Sequence, residues 1–341
     1  MRTPETAGRG AARYLLETNR HLARALRFRA RRWSQRHWTQ ADGLVVVDAA
    51  LLERHRVSKR AYSATALQHF SACPYRFYLS AVLRLQARDV AEPVEDLTAL
   101  QRGSLIHEVQ FRALRALGRE DALPVREANL ARALSVLDDT LDTVASEYRE
   151  ELAPAIDRVW LDGIADVRKD LRQWMTRMTD DDWTPTNFEL AFGLRHDGDR
   201  DQASRAEPVE LSCGITLRGA IDLVETRAGA LRATDHKTGR APKRRRLVIG
   251  GGATLQPALY GLALERLFPG RTVAAGRLYF CTQRGDFAEE VVAVDDRMRD
   301  AVDEFANTID RFIGGGFLPA APDDNACDYC DYLAVCGPYV C

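Results

Sequence analysis

The spacing of apolar residues changes near the middle of the chain. From about Leu100 they recur every three or four residues, as at Leu105, Val109 and Leu117, which predicts successive amphipathic helices through "IDRVWLDGIADVRKDLRQWM". The runs then shorten to "NFELAFGL", "PVELS", "GITLRGAIDLVETR" and "GALRATDHK", which predict consecutive strands. A helix ("TLQPALYGLALERLF"), two strands ("VAAGRLYFCT", "EEVVAVD") and a helix follow. This order predicts a mixed α/β fold with one central mixed sheet flanked by helices.

The N-terminal region carries a different pattern. Up to about Gln40 it predicts a basic amphipathic helix, with Leu15, Leu22, Leu26 and Trp33 as its apolar stripe, and we expect this helix to bind DNA or dock onto a partner. A connector follows, and then Pro74 can open a helix after "ALQHFSAC". We therefore predict a basic N-terminal segment, residues 1–56, and a main domain, residues 57–341, with a helical insertion at about 119–182.

Composition limits the classes of protein to be considered. The 341 residues are 46% apolar and 28% charged, and the formal net charge is −1, so no global field indicates a nucleic acid ligand. No apolar run is long enough to span a bilayer, and we identify no signal peptide. Seven cysteines are an odd number in such a chain. We therefore expect a cytoplasmic, reducing location, where cysteines bind a metal or a cluster more often than they form disulfides.

Candidate chemistry lies in the strand region. Asp222 stands between Ile221 and Leu223, where a buried carboxylate needs a compensating cation or donor. Strand alternation places Asp235 and Lys237 on one face. Two carboxylates and an ammonium group from neighbouring strands suit Mg²⁺, an ion that prefers oxygen ligands, with the lysine orienting a water or stabilising charge on a phosphate. The alternative interpretation is a cross-strand salt bridge.

Four further residues can contribute to this site. His107 lies on a predicted helix, where a neutral imidazole can ligate a metal. Gln256 and Tyr260 are four residues apart on one helix face and can reach a phosphate or support the lysine. Glu189 adds a carboxylate on the preceding strand. Taken alone, His107 is more often a packed or solvated helix residue, and Gln256 and Tyr260 are ordinary surface residues. Glu189 alone is equally consistent with a paired or exposed strand glutamate.

The ordered segments "GSLIH", "GAIDLVE", "TDHKTG" and "QPALY" resemble the motifs of PD-(D/E)XK nucleases of the RecB type. "SATALQHFSACPYRFYLSAVLRL" and "CDYCDYLAVC" resemble, more narrowly, the iron–sulfur nuclease domain of AddB-type helicase–nuclease subunits. The resemblance covers about 57–337. It implies a restriction-endonuclease-like fold in which the metal, Mg²⁺ or Mn²⁺, is bound by His107, Asp222 and Asp235. It assigns Lys237 the role of catalytic lysine and gives Gln256 and Tyr260 supporting catalytic roles. His236 departs from the family pattern, and we expect its side chain to face away from the site.

The cysteines near the C-terminus have ligand-like spacing. Cys327, Cys330 and Cys336 follow C-x2-C-x5-C, which lacks a fourth ligand. The resemblance supplies Cys73 and implies a four-iron four-sulfur cluster, a C-terminal staple that joins the two ends of the nuclease domain. Four thiolates also suit zinc, and the spacing does not choose between the two cofactors. We expect Cys213 and Cys281 to be buried thiols and Cys341 to take no part.

These observations predict a Mg²⁺-dependent, exonuclease-like DNA nuclease that acts on single-stranded DNA or strand ends. The resemblance implies a role in double-strand break repair with a helicase partner. The chain contains no G-x4-G-K-[ST] motif, so any motor is another polypeptide, or the chain is a nuclease-only relative or a fragment. The loop residues Lys243, Arg244, Arg245 and Arg246 either contact DNA phosphates or are simply solvated. The alternatives are a CRISPR-associated exonuclease-like enzyme and a nuclease-like DNA-binding protein without turnover.

Overall fold

The computed structural model describes residues 12–32, 39–86, 96–194, 201–241, 255–328 and 330–336. The chain divides into two compact units. The first unit comprises Met1–Arg56, His69–Gln86 and Ile309–Cys341, and the second comprises Val57–Gln68 and Ala87–Thr308. The division into residues 1–56 and 57–341 stays a prediction. Within the described ranges, every helix is too short or too polar to cross a membrane.

The second unit contains a five-stranded sheet in the order β1-β4-β5-β6-β7. β5 and β6 pair in parallel, and the other neighbouring strands are antiparallel, so the prediction of a central mixed sheet is confirmed. A separate two-stranded sheet pairs β2 with β3. The strands are β1 (Thr184–Phe192), β2 (Val209–Glu210), β3 (Thr216–Leu217), β4 (Gly219–Arg227), β5 (Ala230–Lys237), β6 (Val273–Phe280) and β7 (Glu289–Ala293).

The prediction of one continuous strand over "GITLRGAIDLVETR" is wrong. The structure breaks this run at Arg218, because β3 pairs with β2 whereas β4 pairs with β1 and β5. The backbone N–H of Arg218 donates to the carbonyl of Tyr62, a hydrogen bond outside the main sheet. Cys281 is buried as expected, but Cys213 lies half-buried in the turn before β3 rather than inside a strand.

Helices form where the apolar period of three to four predicts them. Thr98 caps α5 through a capping box in which its side chain accepts from the Gln101 N–H, while the Gln101 side chain accepts from Thr98. The described helices include α1 (Arg20–Arg32), α2 (Ala49–Glu53), α3 (Ala64–Ala72), α4 (Pro74–Phe77), α5 (Ala99–Arg119), α6 (Leu130–Leu152), α7 (Asp157–Arg177), α8 (Leu255–Leu267), α9 (Asp296–Gly314) and α10 (Leu333–Cys336).

The predicted N-terminal helix is described only in part, because residues 33–38 lie outside the described residues. α1 ends at Arg32, and Gln40 begins a short 3-10 turn. Leu22 and Leu26 of the predicted stripe remain exposed, and Trp33 lies outside the described residues.

Helices α5, α6 and α7 pack together over one face of the sheet. Trp174 and Leu105 lie in their shared core, which also takes in Leu223, Tyr279 and Phe287 from the sheet and its loops. The same face carries a buried ion network. The guanidinium groups of Arg232 and Arg277 both donate to the carboxylates of Glu225 and Asp181. These buried charges are tolerated because they are paired and hydrogen-bonded.

Helix α8 covers the opposite face and is buried on all sides of its N-terminal half. It approaches the sheet tightly at Gly276 of β6, where an added Cβ would overlap the carbonyl oxygen of Pro257. A side chain at this position would push α8 away from the sheet. The contact matters for function because Gln256 and Tyr260, two predicted site residues, stand on the same helix.

The first unit has its own small aromatic core. The rings of Phe77 and Phe312 pack edge-on against Phe70, and Phe317 stacks on Phe312. Leu44 pairs with Phe317 in an isolated β-bridge, which joins segments from opposite ends of the chain.

We predict that Gly276→Ala lowers the free energy of unfolding by about 1–3 kcal/mol, because the new methyl group overpacks the contact with α8. Gly239→Ala is the matched control, since nothing lies within 4 Å of its added Cβ. Urea unfolding of the two variants measures the difference. Equal stability of Gly276→Ala and Gly239→Ala would contradict this account of the helix contact.

Candidate active site

Two aspartates face each other across β4 and β5. Leu223 pairs with Thr234 and Val224 with Ala233, so the antiparallel register sets Asp222 directly opposite Asp235. Burial raises the pKa of Asp222 to about 6. Burial, together with the neighbouring charge of Asp222, raises the pKa of Asp235 to about 7. Two carboxylates that face each other in this poorly solvated position resist simultaneous ionisation, which is the electrostatic condition that a divalent cation relieves.

Each carboxylate oxygen of Asp235 lies next to a nitrogen that carries hydrogens. Lys237 Nζ lies 2.6 Å from Oδ2, as strand alternation predicts. The Gln256 amide donates to Oδ1 from α8. Tyr260, one turn further along α8, is buried with its hydroxyl beside the position that a Cβ at Gly219 would occupy. Burial and the nearby Asp235 charge raise the pKa of Tyr260, so this phenol stays protonated.

His107 reaches the site from α5. Its Nδ1 lies 3.4 Å from Asp222 Oδ2, and the backbone N–H of His236 donates to the same oxygen at 2.6 Å. Burial lowers the pKa of His107, which keeps the imidazole neutral and able to ligate a metal. The His236 ring packs beside Trp174 and Tyr279, but its Nδ1 lies 3.9 Å from Asp222 Oδ2 and its ring centre lies 6.3 Å from that of His107. The expectation that this side chain faces away from the site is therefore wrong.

Glu189 completes a group that can hold a metal. Its neighbours Phe188 and Leu190 pair with Leu223 and Ile221, so Glu189 of β1 lies opposite Asp222 of β4. Its φ of 51° is in the left-handed region, an unusual conformation for a strand glutamate. Ligand atoms of His107, Glu189 and Asp222 all lie within 4.8 Å of one another.

The residues that could hold a metal in the structure are His107, Glu189 and Asp222. The family resemblance implies His107, Asp222 and Asp235, so the two sets differ in Glu189 and Asp235. Asp235 stands next to this group, with its oxygens paired to Lys237 and Gln256. Sequence reasoning noted Glu189 but assigned it no ligand role, because only the register of β1 against β4 reveals its position. The basic loop, Lys243, Arg244, Arg245 and Arg246, lies outside the described residues.

The four cysteines singled out by the sequence line one cavity of the first unit. Cys73 stands just before Pro74, and Cys327, Cys330 and Cys336 come from the C-terminal segment. Burial raises the pKa of the Cys73 thiol, whereas backbone N–H groups of Arg76, Tyr75 and Ala321 oppose this shift. Among the described residues, the groups with ligand atoms within 4.8 Å include no set of these sulfurs. They are therefore not gathered at the spacing of one tetrahedral ion.

Comparison with known proteins gives the family. The model of the PD-(D/E)XK nuclease superfamily matches residues 61–337, and the chain belongs to this superfamily. A curated relative from Symbiobacterium thermophilum, one of the subunits of an ATP-dependent helicase/deoxyribonuclease, is 29% identical over 238 residues. This match covers 64% of the chain but 19% of the relative, so the chain spans about a fifth of that protein's length.

The raised carboxyl pKa values predict a pH-dependent stability for the metal-free protein. Folded Asp235 keeps a proton that the unfolded chain releases near pH 4, so its contribution to stability is lost as pH rises toward about 7. We expect Asp235→Asn to raise the free energy of unfolding in EDTA at pH 8 by about 1–4 kcal/mol, and by much less at pH 5. Denaturant unfolding at both pH values measures this.

The fully exposed Asp296 provides the control, and Asp296→Asn should track wild type at both pH values. A gain from Asp235→Asn that is the same at pH 5 and pH 8 would show that Asp235 is not held protonated by the fold.

Proposed function

We propose that the chain is a divalent-metal-dependent deoxyribonuclease, exonuclease-like, that acts on single-stranded DNA or on strand ends. The observation that carries the proposal is the pairing of Asp222 with Asp235 across two strands, with Lys237 bonded to Asp235 and His107 beside Asp222. A structural salt bridge would be satisfied by Lys237 and Asp235 alone. A salt bridge alone would not explain why Asp222, Glu189 and His107 also lie close together.

The donor set fits Mg²⁺ or Mn²⁺. Glu189 and Asp222 offer hard oxygen ligands, and the neutral His107 adds a nitrogen that Mn²⁺ accepts more readily than Mg²⁺. A bound cation would supply Lewis-acid polarisation of a phosphate and a more acidic water. Its charge would also favour the ionised forms of Asp222 and Asp235, whose pKa values are raised in its absence.

Each remaining side chain has a chemical task in this proposal. Lys237 is partly exposed, so its ammonium group can contact both Asp235 and a phosphate oxygen or the attacking water, and can offset charge developing on the phosphate. Gln256 orients the Asp235 carboxylate through its amide. Tyr260 stays protonated and supports Gln256 from the same helix. We further propose that Lys243, Arg244, Arg245 and Arg246 contact DNA phosphates beyond the site.

We also propose that Cys73, Cys327, Cys330 and Cys336 hold a four-iron four-sulfur cluster. The observation that supports it is that all four cysteines line a common cavity. In zinc sites Zn–S bonds of ~2.3 Å place tetrahedral sulfurs about 3.8 Å apart. A four-iron cluster binds each thiolate through a different iron and so needs a wider arrangement than one tetrahedral zinc ion.

The biological setting is a proposal by analogy. The relative from Symbiobacterium thermophilum belongs to an ATP-dependent helicase/deoxyribonuclease. We propose that the present chain likewise works with a helicase in processing DNA ends for double-strand break repair. Because the match covers 19% of that relative, the partner follows from the analogy and not from a contact seen here.

The nuclease proposal predicts a specific loss on substitution of the lysine. Wild-type protein should degrade end-labelled single-stranded DNA in Mg²⁺ or Mn²⁺ and not in EDTA. Lys237→Ala should lower the rate by at least about 100-fold, since it removes the charge that stabilises the transition state. Lys169→Ala, at an exposed lysine on α7, should cut as fast as wild type. Undiminished cleavage by Lys237→Ala would refute the site assignment, and a wild type that binds DNA without cutting it would favour the DNA-binding protein without turnover.

The cluster proposal predicts iron rather than zinc. An anaerobic preparation should be brown and contain about four irons per chain. Cys73→Ala should lose the colour and lower the free energy of unfolding by about 2–5 kcal/mol, by analogy with removing a long-range disulfide. Cys213→Ala, at a cysteine outside the cavity, should keep both the brown colour and the wild-type stability. A colourless wild type carrying stoichiometric zinc would exclude the cluster.

A further inference from the structure

A groove of about 410 Å³ lies between α5 and β1 in the second unit. Its helix side carries Phe111, Arg115, Gly118 and Arg119, and its strand side carries Thr186 and Phe188. Neither the superfamily match nor the proposed metal site gives this groove a role. Each of these six residues retains exposed surface, so the groove is open to a ligand.

The groove lies on the same helix and strand as two residues of the metal group, His107 and Glu189. On α5, His107, Phe111, Arg115 and Arg119 follow one another at intervals of four residues, so they form one stripe along the helix. At 1.5 Å per residue this stripe extends about 18 Å from His107. On β1, Phe188 directly precedes Glu189. Both walls of the groove therefore belong to elements that also carry residues of the proposed metal site.

The lining combines aromatic rings with positive charge. Phe111 and Phe188 are partly exposed, and the Arg115 guanidinium lies 5.7 Å from the centre of the Phe111 ring. Gly118 stands over Phe188, and an added Cβ would lie 3.6 Å from that ring, so the glycine keeps the ring accessible. Base stacking on aromatic rings and phosphate contacts from arginine are the two features of sites for unpaired strands.

The groove also contains two acidic residues, but neither neutralises the arginines of the helix stripe. The Asp201 carboxylate accepts hydrogen bonds from the Asn187 amide and from the N–H groups of Phe188 and Ala203. Its oxygens are therefore occupied by local hydrogen bonds. Asp121 lies beyond the C-terminal end of α5, at the far end of the groove from His107.

We propose that this groove binds the single DNA strand that leads to the metal group, with bases against Phe111 and Phe188 and phosphates at Arg115 and Arg119. Paired bases could not present their faces to these rings, so the groove selects unpaired DNA. The inference rests on the proposed nuclease function for its choice of ligand.

The test uses the whole chain and a fluorescein-labelled DNA strand of about 20 nucleotides, longer than one single-strand site, in EDTA, where no cleavage occurs, with anisotropy as the readout. We expect Gly118→Leu, which places a side chain over Phe188, to weaken binding roughly tenfold. Arg119→Gln should weaken binding and reduce the slope of log Kd against log salt by about 0.7, the value for one lost phosphate contact on a single strand. Both positions are exposed, so the variants should fold.

Arg158→Gln, at an arginine that is 92% exposed on α7, is the charge-matched control and should bind as wild type does. If Gly118→Leu and Arg119→Gln keep wild-type affinity and salt slope, or if the wild type does not bind the strand, the groove proposal is wrong. Cleavage in Mg²⁺ is measured separately. A wild type that cuts DNA while both variants bind normally refutes the groove alone, and a wild type that binds through the groove without cutting refutes only the nuclease.

Discussion

The electrostatic repulsion between Asp222 and Asp235 is the constraint on which the site depends. The two carboxylates face each other on neighbouring strands, Asp235 buried and Asp222 partly buried, so each disfavours ionisation of the other. Such a pair is unfavourable unless positive charge accompanies it. Lys237 supplies part of that charge, and the convergence of His107 and Glu189 on Asp222 marks the place where a cation can supply the rest.

The scaffold holds these groups in place from both faces of the sheet. On one face, the contact between Gly276 and Pro257 brings α8 close enough for Gln256 to bond Asp235. On the other, Arg232 and Arg277 bind Glu225 through paired, buried hydrogen bonds that link β4, β5 and β6. A site that must hold two carboxylates together needs such rigid support, because small displacements weaken electrostatic catalysis.

The cysteine cavity shows how distant segments make one site. Cys73 lies before the nuclease motifs and the other three cysteines after them, yet all four line one cavity of the first unit. Closing so long a loop restricts the unfolded chain more than closing a short one does. The cofactor proposed for this cavity would therefore restrict the unfolded chain strongly.

The sequence by itself determined the order of helices and strands, the placement of Asp235 and Lys237 on one face, and the cysteine set, because these follow from local periodicity and from recognisable motifs. Tertiary structure decided what depends on register and packing. It broke the predicted long strand at Arg218, since β3 and β4 belong to different sheets. It also brought Glu189 to Asp222 through the pairing of β1 with β4, a contact that sequence spacing alone does not encode.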